Sequence, residues 1–80
     1  MAKNRLEDLF DDLKIDYKVE KAPVFTVLAK IGKNVVVIEQ LGIAYGIKFL
    51  MRFDLDDLFM KNFEDLRNWI KGEVNLWNNF

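Results

Sequence analysis

The stretch Val24-Phe25-Thr26-Val27-Leu28-Ala29-Lys30-Ile31, followed by Gly32-Lys33 and then by Asn34-Val35-Val36-Val37-Ile38-Glu39-Gln40, decides how this chain folds. Its two runs are rich in β-branched residues, whose stiff side chains suit a pleated surface, and only two residues separate them. Gly32 supplies the positive φ that a two-residue turn demands, so the stretch predicts a tight antiparallel hairpin. Successive side chains of a strand point to opposite faces, and a sheet with one wet face therefore alternates apolar and polar residues. This hairpin does not. Val24-Phe25, Val27-Leu28 and the run from Val35 to Ile38 place large apolar groups on both faces. The second face needs cover of its own, either from one helix on each side of the sheet or from a second molecule.

Upstream of the hairpin, Ile15, Tyr17 and Val19 alternate with Asp16, Lys18 and Glu20, the pattern of a strand that Ala22-Pro23 interrupts. Before that strand, Leu6, Leu9, Phe10 and Leu13 form one apolar stripe at helical spacing, predicting a helix from about Arg5 to Lys14. Asn4 and Glu7 have the spacing of a capping box at its start. Downstream, after Leu41-Gly42, alternation resumes from Ile43 to Phe53 and predicts a long strand. The competing helix would carry Gly42 and Gly46, at about 2 kcal/mol of lost propensity. Asp54 is then expected to cap a C-terminal helix with Asp56 and Asp57 in its first turn, and Leu55, Phe59, Phe63, Leu66, Ile70, Val74 and Trp77 as its apolar stripe. Asn62 offers an alternative start after a kink, and Gly72 an alternative end or bend. The expectation is an α+β domain over residues 1–80: a helix, an antiparallel β-meander of three to four strands and a C-terminal helix, in a two-layer sandwich. Two short helices can cover little more than one face of such a sheet, which favours a partner on the other.

Composition narrows the chemistry. The chain contains no serine, histidine or cysteine, and Thr26 is its only threonine, so most nucleophiles and proton shuttles are missing. The remaining carboxylates cluster at Asp54-Leu55-Asp56-Asp57, but a helix-loop-helix calcium loop starting there would need an oxygen ligand at Leu58 and a glycine at Phe59. Gly32-Lys33-Asn34 lacks the further glycines and the Ser or Thr of a phosphate loop. No catalytic residue, metal or cofactor is therefore expected, and the chain is not expected to be an enzyme. With 51% hydrophobic and 31% charged residues, the composition is that of a globular chain. The start Met1-Ala2-Lys3-Asn4-Arg5 leads into a charged amphipathic segment, and the longest apolar run, Val35 to Ile38, is far short of the roughly 20 residues that span a bilayer. A cytoplasmic protein with no membrane partner is the expectation.

Net charge is −1, but residues 1–13 carry −2, residues 14–53 carry +4 and residues 54–80 carry −3. On alternating strands Lys18, Lys30, Lys48 and Arg52 are placed to share one face, which makes nucleic-acid binding through a basic sheet face the alternative function. The helix, three strands and helix, with Phe25-Thr26-Val27 and Gly32-Lys33-Asn34-Val35-Val36, resemble the first hairpin of double-stranded RNA-binding domains. That resemblance implies a lysine-rich start to the second helix, where this chain has Asp54, Asp56 and Asp57. The layout is also similar to the dimeric secretion-chaperone-like fold in its order of elements.

The leading expectation is a non-catalytic protein-binding module that contacts its partner through an apolar sheet face or through the C-terminal Trp69, Leu76, Trp77 and Phe80. A homodimer is the expected assembly. The size and the absence of reactive groups suit a small inhibitor or adaptor of the kind encoded by phages and mobile elements.

Overall fold

The computed structural model describes residues 4–78, with the side chains of residues 77 and 78 excepted. Helix α1 (Arg5–Asp12) is followed by strands β1 (Tyr17–Glu20), β2 (Thr26–Ile31), β3 (Asn34–Leu41), β4 (Ala44–Leu50) and β5 (Leu58–Met60), and then by helix α2 (Phe63–Asn78). The strands form one antiparallel meander in chain order, so every strand pairs with its sequence neighbour. This is the α+β sandwich that the sequence predicts, with five strands where three to four were expected.

Local chemistry fixes the first helix at both ends. The Asn4 side chain accepts the Leu6 amide at 2.9 Å while the Glu7 carboxylate accepts the Asn4 amide at 3.3 Å, which completes the expected capping box. At the other end Lys14 takes φ 57, and the Ile15 amide donates to the Phe10 carbonyl at 2.9 Å. That six-to-one bond closes the helix in a Schellman motif, which places Ile15 back over Phe10 and starts β1 on the core side. The central hairpin forms as expected, with Ile31 opposite Asn34 and Gly32 at φ 62. A second two-residue turn, Gly42-Ile43, joins β3 to β4, with Gly42 at φ 69. Ile43 is thereby a turn residue exposed to solvent instead of the first residue of a strand.

The segment after β4 departs from the expectation. The strand stops at Leu50 instead of Phe53, and residues 54–57 begin no helix. Asp54 is engaged elsewhere: Arg52 donates to both of its carboxylate oxygens, at 2.9 and 2.8 Å. Leu58 to Met60 then pair with β4, and Asn62 caps α2 by accepting the Asp65 amide at 2.9 Å. From there α2 runs unbroken through Gly72. A fifth strand and a later second helix also break the element order on which the likeness to RNA-binding domains rests.

The core lies between the sheet and the two helices. Leu6, Leu9 and Phe10 of α1, with Leu66 and Ile70 of α2, bury themselves against Val27, Ala29, Ile31, Val36, Ile38, Tyr45 and Ile47. Aromatic pairs tie the layers together: Phe10 with Tyr17 at 5.6 Å, Tyr45 with Phe63 at 6.1 Å and Phe49 with Trp69 at 6.0 Å between ring centroids. Every one of these sheet residues lies on one face. Both helices therefore cover the same side.

Candidate functional site

Placing both helices on one face leaves the other face of the sheet uncovered among the described residues. The register builds this open face in four rows running across the strands. The first holds Lys30, Val35 and Leu50; the second holds Lys18, Leu28, Val37 and Lys48. The third holds Glu20, Thr26, Glu39, Gly46 and Phe59, and the fourth Leu41 and Ala44. Val35 and Val37 remain half-buried between their neighbours, while Leu28, Leu41, Leu50 and Phe59 are exposed by 36 to 65%. Leu28, Val35 and Val37 are the second apolar face of the hairpin, an excess that follows from consecutive hydrophobic positions that a pleated strand must divide between two sides, and Leu41, Leu50 and Phe59 extend it.

The face has relief and charge. Lys18, Leu28, Lys30 and Val35, with Asp16, Tyr17 and Ala29, line a shallow depression of about 230 Å³ at the β1–β2 edge. Lys48 pairs across strands with Glu39 at 3.3 Å. Lys18, Lys30 and Lys48 share this face, as their spacing predicts, but Leu28, Val35 and Val37 stand between them and Glu20 and Glu39 fill the adjacent row. Arg52 does not join them. It lies past the end of β4, donating to Asp54 and, at 3.3 Å, to the side-chain oxygen of Asn34. Arg52's hydrogen bond and charge hold the Asp54 carboxyl at about 2, below its ordinary 3.8. On either side of Arg52, Met51 and Phe53 project into solvent almost completely, Met51 with a positive φ of 62.

The expected C-terminal anchors divide. Trp69 packs edge-on against Phe49 in the helix–sheet contact, where its ring enlarges the core. Leu76 is exposed on the last turns of α2. The Trp77 side chain and Phe80 lie outside the described residues. Sequence reasoning did not single out Leu28, Val35, Val37, Leu50 and Phe59 as a site, although the parity of the hairpin positions already assigned the first three to one face.

A second cleft of about 370 Å³ lies where α1 meets the start of α2, lined by Arg5, Ile43, Asn62, Phe63, Glu64 and Arg67. The Arg5 guanidinium stacks 4.7 Å from the Phe63 ring centroid, and Glu64 lies 3.7 Å from Arg67. The Arg5–Phe63 contact joins the two helices at the edge of the core, the Glu64–Arg67 pair lies within α2, and Arg67 Nε is buried without a hydrogen-bond partner among the described residues. Among the described residues no three carboxylates converge as metal ligands would, and no helix is long and apolar enough to cross a membrane. Comparison with known proteins finds no matching family model, no matching curated protein and no matching solved structure.

Proposed function

We propose that this protein is a non-catalytic binding module, a small inhibitor or adaptor, that docks another polypeptide on the open face of its sheet. One observation carries the reading: both helices pack on the same side, so Leu28, Val35, Val37 and Leu50 form an apolar seam that nothing in the described chain covers. Contiguous apolar surface of this kind costs free energy in water, and a partner that covers it recovers about 25 cal/mol for each Å² removed from solvent. The lysines and glutamates around the seam supply the polar rim that gives such contacts their register.

Site-directed photocross-linking tests the reading in the protein's own host. A photoreactive residue at position 28 or 37 should give adducts with another polypeptide, and one at Asp8 or Lys71, on the outer surfaces of the helices, should not. Equal adducts at all four positions, or none at 28 and 37, would count against it. Nucleic acid is the other occupant to exclude. A shift of duplex or single-stranded nucleic acid at about 50 mM salt, steeply lost as salt rises, would move the lysines from rim to primary contact.

A further inference from the structure

We infer that the open face is built to receive a second copy of this chain, packed sheet on sheet about a two-fold axis that crosses the strands between the second and third rows. This rests on the docking reading above and names its occupant.

The argument is one of charge and size matching. Two sheets packed face to face align their strands within about 30° and bring opposing side chains into contact. A two-fold axis in the contact plane and perpendicular to the strands exchanges rows while keeping each strand over its own copy. Set between the second and third rows, it places Lys18 opposite Glu20 of the second copy, and Lys48 beside Glu39 of the second copy, each contact made twice by symmetry. The same operation puts the first row over the fourth, so Val35 meets Leu41 and Leu50 meets the small Ala44. Leu41, which is exposed, then lies over the Val35 wall of the depression. A two-fold axis parallel to the strands and between β2 and β3 does the reverse: it stacks Lys18 on Lys48 and repels. Of these two arrangements the charge pattern favours the first, although the first also sets Val37 opposite Glu39 of the second copy.

The area sets the size class of the contact. Five strands about 4.8 Å apart and some six residues long make a face of roughly 20 by 20 Å, so two copies bury on the order of 1,000 Å². That is the low end for a specific interface, the size class of weak and transient contacts, for which micromolar association, about 1–100 µM, is the range to search.

Sedimentation equilibrium of the full chain from about 1 to 200 µM tests the inference in that range. A monomer–dimer equilibrium is expected. Lys18→Glu and Glu20→Lys should each weaken it roughly tenfold, because each turns two attractive contacts into repulsive ones. The double variant K18E/E20K should return to within about twofold of the wild type. Lys18 and Glu20 are exposed, and unchanged circular dichroism will show that all three variants keep the fold. A chain that stays monomeric throughout, or a dimer whose double variant is as weak as the singles, overturns the inference. A monomer whose positions 28 and 37 still cross-link to a different polypeptide overturns only the second copy as occupant and leaves the docking reading standing.

Discussion

Val36 and Ile38 are fully buried in β3, while Val35 and Val37, their neighbours in the same strand and of nearly the same chemistry, stay half-buried on the other side. Along this run of β3 the two faces differ less in what they are made of than in what lies over them. On one, α1 and α2 exclude water and lock the side chains into a core. On the other, similar side chains stay in contact with water among the described residues. Hydrophobicity alone therefore does not identify a core; a hydrophobic position belongs to the core when some other element of the chain can reach it.

The comparison breaks most visibly at adjacent positions of β3. Ile38→Ala removes a fully buried side chain and should cost about 3 kcal/mol in urea unfolding, a large share of the stability of a chain this small. Val37→Ala, one residue away, should cost well under about 1 kcal/mol in dilute solution, where no partner covers it. Equal losses would mean that the open face is already packed.

A smaller effect tests how the covered face is closed. Asn4 caps α1 and also donates from its amide to the Gln40 side chain at 2.8 Å, which ties the helix start to the end of β3. Asn4→Ala should lower stability by about 1 kcal/mol, read from the denaturation midpoint at constant slope.

The smallest effect belongs to the loop beside the open face. The folded-state pKa of Asp54 is depressed to about 2 from 3.8, so its pairing with Arg52 contributes stability above the unfolded value and loses it as pH falls through about 2. The pair is solvent-exposed, and its effect on global unfolding should be slight. The direct readout is the Asp54 carboxyl resonance, whose midpoint near 2 should rise toward the ordinary carboxylate range in Arg52→Gln, the backbone hydrogen bond to Asp54 remaining.

Much of this architecture is legible in the residues. The hairpin is plain because β-branched runs and Gly32 agree on it, and α1 is plain because the Asn4–Glu7 box and the Leu6 stripe agree on its start. The two-sided hydrophobicity of the hairpin signals a second apolar face before any topology is known, but whether a helix covers that face depends on where α1 and α2 pack. The second half of the chain misleads because Leu55, Phe59 and Phe63 are spaced four apart, as on a helix, although the first two lie in a loop and a strand. Asp54 looks like a cap, yet Arg52 claims it with two hydrogen bonds, a pairing between neighbours that spacing rules for helices do not weigh. Trp69 reads equally well as anchor or as core; its edge-on contact with Phe49 depends on how α2 lies across β4, which no local pattern encodes.

The most direct test of the account is methyl nuclear magnetic resonance of the full chain recorded as its concentration rises from about 5 to 300 µM, a span that brackets the expected association. Shifts that move together at Leu28, Val35, Val37 and Leu50, while Val27, Val36, Ile38 and Ile47 stay fixed, are the predicted result. Shifts absent from the open face, or centred on the methyls of the helices, would contradict it.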